Sequence, residues 1–162
     1  MLLCSIVAGA QTLEGTFTQA KTIQASGRVI RSQGNFSFTA PDQLAMIYTQ
    51  PDGDFFIIDG PVLRMDLRGN AVQLDTRRNA LAKAQSDAIL FSISGNYQRI
   101  AESMNADMTE STRNGVKTVT ITARQAAPRG YSKLILDYRA GKLTRMVLEE
   151  FGGISTEYLL QY

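Results

Sequence analysis

The sequence contains no histidine and no tryptophan, and its single cysteine is Cys4. The absence of histidine removes the usual general base near neutral pH and the commonest metal ligand. Serine and threonine are plentiful, but no imidazole exists to activate a hydroxyl as a nucleophile. A charge excess is also missing: 17 Lys+Arg stand against 15 Asp+Glu, a net +2. A nucleic-acid groove needs a concentrated basic stripe. Here the basic residues are scattered, and the one adjacent pair, Arg77-Arg78, reads as a solvated loop. Acidic constellations are weak as well. Asp52 and Asp54 flank Gly53 without the further acidic ligands and closing Glu of a calcium loop, so they read as a hairpin turn. Glu149 and Glu150 are neighbours on a strand and point to opposite faces. Pro128-Arg129-Gly130 is followed by no helix start that could cradle a phosphate. These absences predict a protein that is not an enzyme, with no catalytic residue, no metal and no cofactor.

The chain opens MLLCSIVAGA. This apolar stretch is too short to span a bilayer, which takes about 20 apolar residues. It ends in Ala8-Gly9-Ala10, an A-x-A pattern, and reads as the remnant of a secretory signal peptide cut after Ala10. The expected division is therefore residues 1–10 as signal remnant and 11–162 as one domain. A domain of this size buries roughly 68–70% of its unfolded surface and holds a sizeable core unaided. The mature chain would have no cysteine and would rely on no disulfide.

Strand character dominates from Leu13 onward. Leu13 to Gln24, Gly27 to Phe38, Gln43 to Gln50, Asp54 to Asp59, Val62 to Leu67 and Ala71 to Asp75 succeed one another with Pro and Gly turns between them. Connections this short make hairpins, since parallel pairing needs a long crossover. From Ala80 to Ser94 the pattern changes: Leu81, Ala84, Ala88 and Phe91 recur at helical spacing, between Asn79 as N-cap and Gly95 as C-cap. A second short helix is predicted from Tyr97 to about Met104, capped by Asn96. Strands resume at Ala106 to Ser111, Val116 to Arg124, Tyr131 to Tyr138, Leu143 to Phe151 and Ile154 to Tyr162. Asn114-Gly115, Ala140-Gly141 and Gly152-Gly153 are their turns.

The predicted fold is mainly β: an incomplete, strongly curved antiparallel barrel, with a helical insertion over about residues 79–104. In the segment TQPDGDFFIIDG and the strand before it, both faces carry apolar side chains. An antiparallel sheet usually solvates one face. The helical insertion is the expected cover for the second. The space beneath it is either packed as an ordinary core or left open for a ligand; periodicity does not distinguish the two.

Several segments in order resemble the LolA family, the periplasmic carriers of lipoproteins between the inner and outer membranes of Gram-negative bacteria. Gly15-Thr16-Phe17-Thr18-Gln19 resembles that family's opening F-x-Q strand, and Gln33-Gly34-Asn35-Phe36-Ser37-Phe38 its second strand. Pro41, Leu44 to Tyr48 and Thr49-Gln50-Pro51-Asp52 resemble its P-N-L-x-x-W-x-x-T-Q-P segment, and Asp59-Gly60 the S-D-G after it. The likeness is specific over about residues 15 to 60, and the rest matches in order and type of element. There are departures. A basic residue before the Pro, which in the family ties the helical lid down through helix-end carbonyls, is here Ala40; the Trp position is Met46. A lid lacking that latch opens more readily or closes by other contacts. The family's N-terminal helix before the F-x-Q strand and the extra C-terminal strand of some members are not seen in this sequence.

The resemblance implies an exported, periplasmic protein whose apolar space holds acyl chains. It also implies an ABC-type release complex at the inner membrane and an acceptor at the outer membrane as partners. Acylated lipoproteins, or lipids, are the expected cargo. Nucleic acid is not expected, and the chain is expected to act as a monomer. The side chains expected to line the space are Phe36, Phe38, Leu44, Met46, Tyr48, Ile57 and Met65 from the sheet, with Ile89, Leu90 and Ile93 from the lid. Two other readings compete. One is a lipid- or lipoprotein-binding sensor or acceptor on the same fold. The other is a glycosidase-like enzyme, which would need two carboxylates about 5–9.5 Å apart.

Overall fold

A computed structural model describes residues 11–162. The expected signal remnant, residues 1–10, lies outside the described residues. Eleven strands form one open sheet: β1 (Thr12–Ile23), β2 (Arg28–Thr39), β3 (Gln43–Gln50), β4 (Asp52–Asp59), β5 (Val62–Leu67), β6 (Asn70–Asp75), β7 (Ala106–Arg113), β8 (Val116–Ala123), β9 (Tyr131–Arg139), β10 (Lys142–Glu150) and β11 (Ile154–Gln161). Their spatial order is β6-β5-β4-β3-β2-β1-β11-β10-β9-β8-β7. Two meanders are thus joined where β1 pairs antiparallel with β11, and β6 and β7 are the free edges. Helices α1 (Ala80–Ser94) and α2 (Tyr97–Met104) connect those edges, after a 3₁₀ turn at Thr76–Arg78. This is the open antiparallel barrel with a helical insertion that the sequence predicts.

The local chemistry explains the elements. Asn79 stands in extended conformation before α1, and its Oδ1 accepts the Ala82 N–H at 2.9 Å. It thereby satisfies one of the orphan donors of the first turn. Gly95 ends α1 at φ 78°, in the left-handed region where a residue without Cβ carries no penalty. Asn96 precedes α2 as expected, but its side chain bonds Ser94 Oγ rather than the helix N-terminus. Gly15 and Gly34 lie where strands approach closely: a Cβ at Gly15 would press into the Gln161 carbonyl, and one at Gly34 into the Ile47 carbonyl. Neither position tolerates a side chain while β11, β1, β2 and β3 keep this approach.

The core lies between the concave face of the sheet and the helices. Side chains of both meanders meet in one cluster there, including Phe17, Phe38, Leu44 and Ile58 from one and Val119, Leu136, Leu143 and Met146 from the other. The helices contribute Ala82, Ala88, Ile89, Leu90, Ile93 and Ile100.

The expected role of the helices needs one correction. They cover the concave face, which is the core face, and so do not account for the second apolar face of β3 and β4. Cross-strand pairing places Ala45 beside Ile57 and Ile47 beside Phe55 on the convex side. Ile47 is 46% exposed there, and Phe55 and Ile57 are half-buried.

Candidate acyl-binding face

The pairing register arranges the concave face in rows. Phe38, Leu44, Ile58 and Leu63 form one row across β2 to β5; Phe36, Met46, Phe56 and Met65 form the next. Phe17 and Tyr48 stand beside Gly34 and pack edge to face, ring centroids 5.0 Å apart. Tyr162 meets Phe36 in the same manner at 5.5 Å. Edge-to-face contacts of this kind suit the ring quadrupoles and add to simple area burial.

Of the residues singled out from the sequence, Phe36, Phe38, Leu44, Met46 and Tyr48 meet Ile89, Leu90 and Ile93 of α1 in the single buried cluster, each at most 5% exposed. Met65 is half-buried and packs against that cluster. Ile57 does not belong with them. The pairing of β3 with β4 shifts by one between Ile47 and Thr49. Continuing the Thr49–Asp52 pairing without that shift would set Ile57 opposite Leu44; the irregularity sets Ile58 there instead. A one-residue slip moves a strand's whole side-chain set to the other face, so Phe56 and Ile58 point inward and Ile57 outward. Sequence reasoning also passed over Phe17, Ile58 and Leu63, and the whole opposing wall of Val119, Ile121, Leu134, Leu136, Leu143 and Met146. The alternation in Thr118 to Ala123 and in Lys133 to Tyr138 carried that signal.

Contact between α1 and this face is almost wholly apolar. Among the described residues one side-chain hydrogen bond joins α1 to the sheet: the Tyr138 hydroxyl donates to the Ser92 carbonyl at 2.6 Å. Ser92 is fully buried, and its own hydroxyl bonds back to the Ala88 carbonyl of the same helix. Burial pushes the Tyr138 phenol well above its ordinary pKa, so it remains a neutral donor. Tyr97 of α2 packs against the Tyr138 ring at 5.5 Å, and the Arg99 guanidinium lies 4.6 Å from the centre of the Phe91 ring. The lid is thus closed by a tyrosine on the far meander, with no basic residue at position 40. Ser86 Oγ, on the buried side of α1, has no hydrogen-bond partner among the described residues.

Beyond Tyr48 the concave face continues into an open cleft of about 180 Å³, lined by Gln19, Lys21, Ile30, Ser32, Tyr48, Asp54, Leu67 and Arg68. The Tyr48 hydroxyl donates to Gln19 Oε1 at 2.7 Å, and burial, opposed in part by hydrogen bonding with Tyr158, pushes its pKa up to about 12. Asp54, 8% exposed, accepts the Arg68 backbone N–H at 2.9 Å. Its carboxylate thus closes the β5–β6 turn, a structural role for one half of the Asp52/Asp54 pair. Among the described residues no group of three His, Cys, Asp or Glu side chains could hold a metal ion, and no helix is long and apolar enough to cross a membrane.

α1 thus lies as a lid across the concave apolar face of the open barrel, joined to the sheet by apolar contacts and, among the described residues, one side-chain hydrogen bond. The profile of the outer membrane lipoprotein carrier protein family, LolA, matches residues 8–162. The chain belongs to the LolA family. Three solved structures are distantly similar. A LolA-superfamily protein from Nitrosomonas europaea has 8% identity over 94% of this chain and 85% of that one, with a TM-score of 0.44. A candidate outer-membrane lipoprotein-sorting protein domain from Vibrio parahaemolyticus has 11% identity over 96% and 85%, at 0.43. The lipoprotein LppX from Mycobacterium tuberculosis has 14% identity over 91% and 85%, at 0.30. A search of curated proteins returns no match.

Proposed function

We propose that the protein is a periplasmic carrier that takes up acyl chains of lipoproteins beneath α1 and shuttles them from the inner to the outer membrane. An ABC-type release complex loads it and an outer-membrane acceptor unloads it. One observation carries the reading: α1 is held over the apolar concave face by apolar contacts and, among the described residues, a single side-chain hydrogen bond to the sheet. An acyl chain can replace contacts of that kind without leaving many polar groups unpaired.

The energies fit a carrier. Burying an acyl chain is worth ~0.8 kcal/mol per CH₂, or roughly 12 kcal/mol for sixteen carbons. A rigid, ready-made site would retain such a ligand. Here entry must first uncover Ile89, Leu90 and Ile93. Exposing three large aliphatic side chains costs roughly 5–9 kcal/mol. The difference leaves a ligand bound yet able to leave, because apparent affinity falls with the population of the open state. Met46 and Met65 in the lining suit chains of varied shape, since the unbranched thioether side chain adapts to irregular surfaces.

The test is titration of the purified protein with a fluorescent acylated peptide against its unacylated twin. Saturable binding of the acylated form alone is expected. Ile93→Glu should weaken it in protein whose circular dichroism and cooperative melt show that it remains folded. Absence of binding to the acylated peptide by the unsubstituted protein would refute the carrier reading.

A further inference from the structure

Resting on that carrier reading, we infer that the cleft beyond Tyr48 is the headgroup end of the binding face, and that it selects acyl ligands bearing an anionic head, phosphate or carboxylate.

The placement comes first. All eight lining residues lie on β1 to β5 or the turn after β5, and none comes from either helix. The cleft is therefore reachable while the lid is shut. It is continuous with the core through a single residue. The Tyr48 ring is packed edge to face on Phe17 inside the core, while its side chain also lines the cleft. A molecule with its head in the cleft has its tail directed along the Phe17/Tyr48 row toward Met46 and Phe36.

The charge comes second. Lys21 and Arg68 both line the cleft, and neither has a carboxylate within ion-pairing distance among the described residues. Residues 1–10 contain no acidic side chain to supply one. Asp54 is the one acid in the lining, and a bond from the Arg68 backbone, not its guanidinium, engages its Oδ1. The rim keeps one net positive charge. Gln19 and Ser32 add polar groups, and Ile30 and Leu67 supply apolar surface for the first carbons of a tail. Two cations beside an apolar core face complement an amphiphile with a negative head; a neutral glycerol head gains nothing from them.

The experiment compares three probes by isothermal titration calorimetry on the intact protein: palmitoyl lysophosphatidic acid, monopalmitoylglycerol with the same tail and no phosphate, and inorganic phosphate. The phosphate-headed lipid should bind about five- to tenfold more tightly than the neutral one, the scale of one or two partly exposed ion pairs. That preference should shrink in high salt. Lys21→Gln with Arg68→Gln should abolish it while leaving affinity for monopalmitoylglycerol unchanged. Equal affinity for the two lipids would overturn the anionic mouth and leave the acyl carrier standing. Failure of both lipids to bind would overturn both. Inorganic phosphate binding as tightly as the lipid, with no contribution from the tail, would make the cleft an anion site unconnected to the hollow and overturn the inference.

Discussion

The two meanders of the sheet face each other across one core but are built from different side chains. In β8, β9 and β10 the inward positions are mostly branched aliphatics at or near zero exposure, Val119, Ile121, Leu134, Leu136 and Leu143, with Tyr138 and Met146 among them. Their outward positions are mostly polar or charged, with Thr118, Thr120 and Lys133 among them. In β2 to β5 the inward set joins the aliphatics Leu44, Ile58 and Leu63 to Phe36, Phe38, Met46, Tyr48, Phe56 and Met65, and Phe56 and Met65 are only half-buried. Val119 and Ile121, being β-branched, have few rotamers. Methionine has many and fills irregular gaps. The C-terminal meander is therefore the more fully enclosed platform, and it supplies the one side-chain hydrogen bond to α1 among the described residues; on the carrier reading, the N-terminal meander, with its half-buried Phe56 and Met65, is the wall that adapts to a guest.

The largest effect should come from cutting into the platform. Leu136→Ala removes a side chain with no exposure whose neighbours on either strand, Val119 and Met146, are equally enclosed. A loss of about 2–5 kcal/mol in unfolding free energy is expected, as for other fully buried leucines. Denaturant titration measures it. Acyl-peptide affinity per folded molecule should change little. Met65→Ala on the other wall, where the side chain is half-buried, should cost less stability and alter affinity more. If the two substitutions have the same ratio of stability loss to affinity loss, the distinction between platform and wall fails.

A smaller effect tests the connection from platform to lid. Tyr138→Phe removes the hydroxyl that bonds the Ser92 carbonyl and keeps the ring against Tyr97. The loss of one buried hydrogen bond should destabilise the closed lid by about 0.5–1.5 kcal/mol. Backbone amides of α1 should exchange with solvent faster, with those of β8 and β9 unchanged, and acyl ligands should enter faster. Hydrogen exchange read by mass spectrometry separates these responses. Uniform acceleration over the whole chain would mean that Tyr138 supports the fold generally and does not hold the lid.

The strands and helices were legible in the sequence because their boundaries are written in residues with special backbone freedom. Asn114-Gly115 and Ala140-Gly141 all adopt positive φ, as two-residue hairpin turns require. Asn79 and Gly95 mark the ends of α1 by the same kind of local chemistry. The candidate acyl-binding face was less legible. Phe36, Phe38 and Leu44 could be assigned inward because they alternate with polar or small neighbours. The run Phe55-Phe56-Ile57-Ile58 has no alternation, and its facing depends on an irregularity in pairing with β3 that no residue in the run announces. The latch could not be read either. Tyr138 and Ser92 are 46 residues apart, on elements whose relative placement is set by the closing of the whole sheet.

The smallest expected effect examines that facing directly. Ile57 lies on the convex side next to Ala45, half-buried and outside the core cluster, whereas its neighbour Phe56 packs against the core. Ile57→Thr keeps the β-branched shape that suits a strand and exchanges a methylene-bearing arm for a hydroxyl that can reach water. It should change unfolding free energy by no more than about 0.5 kcal/mol, the range of ordinary surface substitutions, and leave acyl-peptide affinity unaltered. Phe56→Thr, one position along, should lower both. A larger loss of binding at Ile57 than at Phe56 would mean that the strand sits one residue from the register described, and would return Ile57 to the lining.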